Sequence, residues 1–128
     1  MNNLIYIAGP ITNGGKCSNR EQWNNVFKGM DIYFELIKKG YAPILPHFSF
    51  FFNKHHTGGK EMNHDDWLEL DFHYIEVCDY FFFIGPAKGS LQELEFAEKQ
   101  NKIIFNHDNV LDVPAYPPVF KSLRMGEA

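Results

Sequence analysis

Apolar positions in this chain alternate between short continuous runs and stripes at three- and four-residue steps. The run Leu4-Ile5-Tyr6-Ile7-Ala8, within residues 3–8, reads as a short strand. Across residues 20–39 the side chains Trp23, Val26, Phe27, Met30, Tyr33, Phe34 and Ile37 make one stripe of a helix, with Ser18 or Asn19 as its cap and Gly40 at its end. Tyr41 to Leu45 reads as a second strand, closed by Pro46. Residues 46–61 read as a loop rich in Phe, His, Gly and Lys, and loops of that length in small domains are more often functional than accidental. Then come a helix over residues 62–77, a strand from Asp79 to Ile84, a helix over residues 90–100 and a strand from Lys102 to Phe105. The tail from His107 carries Pro114, Pro117 and Pro118 and reads as irregular, with one short strand or helix near Phe120.

Strands alternating with helices over short connections predict a single α/β domain spanning residues 1–128. Its expected form is a doubly wound, flavodoxin- or Rossmann-like parallel sheet with helices on both faces. Ligands of such sheets sit beyond the carboxyl ends of the strands. The loops at that edge begin at Gly9, Pro46 and Gly85.

Composition narrows the function classes. A chain of 128 residues that is 45% hydrophobic can bury a core without staples, and its 13 Phe belong in that core or at a subunit interface. A formal net charge of -4 gives no reason to expect a nucleic-acid polymer as partner. Cys17 and Cys78 fit no metal or redox spacing and read as reduced thiols. Met1-Asn2-Asn3 lacks the basic region of a signal peptide, and no apolar run is long enough to span a membrane. A cytoplasmic protein without a membrane partner is expected.

The chemistry concentrates at the predicted ligand edge. Glu93 follows the Gly85-Pro86 turn and falls in the expected first turn of the third helix, beside Phe96 and Ala97. Glu95 lies instead with Glu98 and Lys99 on a solvated face and can pair with Lys99. Asp71 has Leu68, Phe72, Ile75 and Cys78 as helical neighbours, so it points inward. A buried carboxylate there is either a proton donor with a raised pKa or a structural group bonded to backbone. Asp65 and Asp66 sit where a helix start favours negative charge and read as caps. Tyr6, near the carboxyl end of the first strand, is by composition a packed aromatic.

The loop Gly9-Pro10-Ile11-Thr12-Asn13-Gly14-Gly15-Lys16 can bring backbone amides close to a phosphate or ribose. It is not a P-loop, because Gly15 separates Gly14 from Lys16 and Cys17 stands where a magnesium-binding hydroxyl belongs. His47, His55, His56, His64, His73 and His107 match neither the HExxH nor the zinc-finger spacing, so no metal is expected. Substrate contact is the reading for His47 and the 51–60 loop.

Together these residues resemble a family. Tyr6-Ile7-Ala8-Gly9-Pro10-Ile11-Thr12 is similar to the first strand and loop of the nucleoside 2-deoxyribosyltransferase superfamily, and so is Asp71 followed by Ile75 and Cys78-Asp79. Gly89-Ser90-Leu91-Gln92-Glu93, with Ala97 and Lys102-Ile103-Ile104, resembles its Gly-Thr-x-x-Glu helix and following strand, and the resemblance covers residues 4–105. It implies that Glu93 is a nucleophile, that Tyr6 assists it, and that Asp71 binds and helps protonate a nucleobase. It implies substrate contacts from Gly9 to Lys16 and from Gly89 and Ser90. Gly9 to Gly15 also look like the phosphate loop of the related deoxynucleoside 5'-monophosphate N-hydrolases, with Asn13 where that loop has arginine and Lys16 as its substitute. The transferases place a further base-binding aspartate where Ala87 or Lys88 stands here. The implied reaction breaks or transfers the N-glycosidic bond of a nucleoside or nucleotide, without cofactor. The alternative is a non-catalytic nucleotide-binding sensor on the same scaffold. Members complete each site with a neighbouring subunit, so a homo-oligomer is implied, with the Phe48-Ser49-Phe50-Phe51-Phe52 run and the Pro-rich tail at its interface.

Overall fold

The computed structural model describes residues 1–11, 16–49, 62–105 and 113–116. The elements are β1 (Leu4–Ala8), α1 (Asn19–Lys38), β2 (Ala42–Ile44), a short 3-10 turn (Pro46–Phe48), α2 (His64–Val77), β3 (Tyr80–Phe83), α3 (Lys88–Lys99) and β4 (Ile103–Phe105). The four strands form one parallel sheet in the order β2-β1-β3-β4. Ile5 lies between Pro43 and Tyr80, and Tyr6 between Ile44 and Phe81.

β1 and β3 are central, so both of their faces are covered, which explains their unbroken apolar sequence. The two-residue period of a strand sends alternate side chains to opposite layers. Ile5, Ile7, Tyr80, Phe82 and Ile84 pack with Ile32 and Leu36 of α1. Tyr6, Ala8 and Phe81 pack with Ile75 of α2 and Ala97 of α3. Phe72 of α2 and Phe96 of α3 stack with ring centroids 4.2 Å apart, joining the two helices of the second layer. After β1 the chain adds β2 on one side and β3 on the other. The order therefore reverses at β1, and the carboxyl ends of β1 and β3 flank a crevice of the type that holds ligands.

Local chemistry sets the helix ends. The Ser18 side chain accepts from Glu21 N and the Glu21 carboxylate accepts from Ser18 N, a capping box that starts α1. Asn63 and Asp66 do the same for α2, so Asp66 caps as expected. α1 ends in Gly40 at φ 97°, with Tyr41 N donating to Leu36 O and Gly40 N to Ile37 O. Asn101 at φ 57° ends α3 by the same pair of bonds. Lys99 and Glu95 form the anticipated ion pair at 3.0 Å on solvated surface.

Several sequence expectations shift. α3 begins at Lys88 rather than at residue 90, so Glu93 lies in the second turn, not the first. Its N-cap is Ala87, whose side chain cannot cap, so the start carries no sequence signal. The stripe expected on α1 is rotated: Val26, Gly29, Ile32, Leu36 and Ile37 are buried, while Trp23, Phe27 and Phe34 are exposed. Gly29 misleads the pattern because it belongs to the buried face. A Cβ there would lie 3.0 Å from Leu45 Cδ1 and 3.1 Å from His47 Cδ2, so α1 packs against the turn after β2 at glycine distance. Most of the expected 46–61 loop, with His55 and His56, lies outside the described residues, as do His107 and the element expected near Phe120. Of the tail, Val113 is buried, its carbonyl accepts from Lys39 Nζ at 2.7 Å, and the Pro114 carbonyl accepts from Tyr41 Oη at 2.8 Å. Among the described residues no helix is long and apolar enough to cross a membrane. Cys17 and Cys78 are both free, and burial pushes the Cys78 thiol up to about 12.

Gly9 ends β1 where Ile84 leaves β3, and Ile84 N donates to Ala8 O at 2.7 Å. A Cβ on Gly9 would come within 2.9 Å of Ile84 Cβ, so the two strand ends meet at glycine distance. Gly9→Ala must separate them and is expected to lower unfolding free energy by about 1–3 kcal/mol in urea titrations, the usual effect of overpacking. Unchanged stability would mean that the crevice floor yields freely.

Candidate active site

Tyr6 points from β1 into the layer under α2 and α3. It is fully buried and stacks on Phe81 with ring centroids 5.7 Å apart. Its hydroxyl donates to Glu93 Oε2. Burial first, then the charges of Glu93 and Asp71, push the phenol well above its ordinary pKa, so it stays a neutral donor. Glu93 lies on the same face of α3 as Ser90 and Ala97, and all three are buried by helical spacing against the sheet. It keeps only 6% exposure. Asp71 comes from the middle of α2, one turn before buried Ile75, and is half-buried. Its carboxyl lies close enough to Tyr6 and Glu93 for each to perturb the others.

The structure thus brings together the three residues expected to carry chemistry, from three different elements. Two carboxyls in one poorly solvated place cannot both ionise readily. Burial pushes Asp71 up to about 6, held back by the Glu93 and Tyr6 hydrogen bonds and by His64. Burial and the Asp71 charge push Glu93 well above the usual carboxylate range, against the Tyr6 hydrogen bond. Burial and mutual repulsion therefore favour a proton on the pair, and the Tyr6 hydroxyl fixes one Glu93 oxygen, Oε2.

The expected binding residues divide. Gly9 and Pro10 stand at the end of β1, and the Ile11 carbonyl accepts from Asn25 Nδ2 at 3.0 Å. Thr12, Asn13, Gly14 and Gly15 lie outside the described residues, and Lys16 is exposed. Gly89 and Ser90 form the first turn of α3, where amides lack intrahelical acceptors and Ala87 provides no side-chain cap. The Ser90 hydroxyl donates to Gly85 O at 2.9 Å and lies 3.2 Å from Ala87 O. Ser90 keeps only 2% exposure, and its donor is satisfied within the chain.

His47 lies on the other side of the sheet edge. It is 1% exposed, and neither ring nitrogen has a hydrogen-bond partner among the described residues. Burial pushes it down to about 4, and the nearby Pro10 carbonyl offsets this only in part. His47 helps line a cavity of about 220 Å³ together with Pro10, Asn25, Lys28 and the Ile84–Pro86 turn. None of Tyr6, Asp71 and Glu93 lines this cavity. The triad and the cavity lie on the two sides of the same strand ends.

Sequence reading passed over Asn25, Gln22, His64 and Gln92. Asn25 bonds the chain before the glycine loop at Ile11 and touches Cys17 Sγ after it at 3.8 Å, and Gln22 donates to the Cys17 carbonyl at 3.1 Å. His64 Nε2 lies 2.8 Å from Gln92 Oε1. Only Asn25 carried a signal, as a poor helix former inside a helix. No protein-family model matches the chain, and no curated protein matches it significantly.

The buried groups predict opposing pH dependences. Asp71 holds its proton to about pH 6 in the fold against an ordinary 3.8, so its contribution to stability is complete below 3.8 and is lost as pH rises through about 6. His47 runs the other way: its contribution is present above 6.5 and is lost as pH falls through about 4. Stability at pH 7 minus stability at pH 4 is therefore expected to become more positive in Asp71→Asn and more negative in His47→Asn, each by on the order of 1 kcal/mol. Urea unfolding of the three proteins checks this, and identical differences would refute both shifts.

Proposed function

We propose that this protein cleaves or transfers the N-glycosidic bond of a (deoxy)nucleoside or nucleoside 5'-monophosphate through a covalent glutamyl-sugar intermediate. One observation carries the reading: a tyrosine hydroxyl and two proton-sharing carboxyls meet in a buried cluster close to a topological switch point. The strand order and the helix layers support a doubly wound, flavodoxin-like fold, whose ligands bind at that edge. The reading is of a cytoplasmic enzyme.

The chemistry follows from the proton count. The reaction requires the arrangement in which Asp71 holds the proton of the pair and Glu93 is the carboxylate. Glu93 Oε1 forms a bond to C1' as the C1'–N bond breaks and its electron pair leaves with the base. Asp71 delivers its proton to the departing base nitrogen, which makes it a better leaving group. Tyr6 donates to Glu93 Oε2 and orients the attack. Water or a second base then displaces Glu93 from C1', giving hydrolysis or transfer with retained configuration, and the incoming group's proton returns to the carboxyl pair. The first-turn amides at Gly89 and Ser90, at an uncapped helix start, support a bound 5'-phosphate. A second reading, a non-catalytic nucleotide sensor, is favoured by the depth at which Glu93 is buried, since burial holds the proton on a would-be nucleophile.

A panel of deoxynucleosides and their 5'-monophosphates, assayed for free base, separates the two. Base release is expected to vanish in Glu93→Ala and to fall by about 10²- to 10⁴-fold in Asp71→Asn. Intact mass of the wild type during turnover is expected to show a sugar adduct on Glu93. Binding of a nucleotide without release would establish the sensor.

The exposed Trp23, Phe27 and Phe34 on α1 support a homo-oligomer, at least a dimer. Phe27→Glu is expected to shift sedimentation toward the monomer. A wild type that already sediments as a monomer at high concentration would end that part of the reading.

A further inference from the structure

His64 opens α2 and lies seven residues before Asp71, on the same face of the helix and two turns away. Its ring does not hang in solvent. Nε2 lies 2.8 Å from Gln92 Oε1, and a Cβ on Gly89 would sit 3.5 Å from His64 Cε1. The imidazole therefore rests across the first turn of α3 and grips the residue next to Glu93. An amide oxygen accepts only, so Nε2 carries a hydrogen and the ring is anchored as a donor.

We propose that His64 is a positioning residue: anchored by Gln92, it closes the outer end of the α2–α3 seam, and its charge sets which carboxyl of the Asp71–Glu93 pair holds the shared proton. The inference rests on the reading of that pair as nucleophile and acid, and adds the group that controls them. A positive charge at His64 favours ionised Asp71 and moves the proton toward Glu93, the unproductive arrangement. The neutral ring withholds that pull and shifts the balance toward a proton on Asp71 and an ionised Glu93. The titratable groups that act on Asp71 are Tyr6 from β1, Glu93 from α3 and His64 from its own helix, and of these His64 alone is exposed. It is therefore the member of this set that solvent reaches most freely. Its electrostatic pull on Asp71 is already in the direction required.

The test does not depend on turnover. Carbon-13 labelled aspartate lets the Asp71 carboxyl be titrated by NMR in the full chain, with Asp71→Asn identifying the resonance. His64→Lys, a permanent cation able to donate to Gln92, is expected to lower the Asp71 midpoint by at least about 0.3 pH unit relative to the neutral donor His64→Gln. Adding Gln92→Leu to His64→Lys removes the anchor and is expected to shrink that difference by about half. Midpoints equal in His64→Lys and His64→Gln would overturn the proposal. A lysine effect untouched by Gln92→Leu would overturn the anchoring role. Midpoints that move as stated while no nucleotide releases base would leave this inference standing and remove the enzymatic reading.

Discussion

The candidate site depends on placing one glutamate, Glu93, out of water beside a tyrosine hydroxyl and a second carboxyl. A buried carboxylate costs free energy unless it is hydrogen-bonded or keeps its proton. Here both remedies operate together. Tyr6 donates to one Glu93 oxygen, and Asp71 shares the proton that burial forces the pair to retain. Each of the three groups perturbs the other two, so the arrangement works as a unit and removing one member changes the charge state of the rest.

The fold makes this possible through the parity of its strands. Because side chains alternate along β1, Tyr6 faces the α2–α3 layer while Ile5 and Ile7 face α1. A register slip of one residue would send the phenol to the wrong layer. The stacked Phe72 and Phe96 set the separation of α2 and α3, which fixes how far Asp71 and Glu93 stand apart. Gly9 and Gly29 act on the other side, one letting the ends of β1 and β3 meet and the other letting α1 approach His47. The packing that builds the layers and the packing that shapes the site are the same contacts.

His47 and the triad are complementary features of one sheet edge. A histidine buried with both nitrogens unpaired among the described residues is a poor stabiliser, since a buried polar atom without a partner forfeits its hydration. Such a group sits more naturally in a cavity that receives hydrogen-bonding ligands than in a finished core, and His47 does line one. The two sides of the strand ends therefore differ in character. One holds three ionisable groups that perturb one another, and the other a buried ring and an amide that line a cavity.

Element order, the parallel sheet and the loops at its carboxyl edge were legible in the sequence, because apolar periodicity is a local consequence of which face meets the core. The cap position at Ser18 or Asn19 and the Glu95–Lys99 ion pair were legible for the same reason, since their partners lie within about one turn. Asp71 and Glu93 stood out because a carboxylate amid apolar helical neighbours is improbable without a use. The tertiary structure alone decided the rest. Where α1 presents its face was set by a close approach that a glycine, with no side chain, cannot announce. That α3 starts at Lys88 follows from how the chain leaves β3, not from a capping residue. The meeting of Tyr6 with Glu93, 87 positions away, and of His64 with Gln92, 28 positions away, is a fact of strand order and layer packing, which no local pattern encodes.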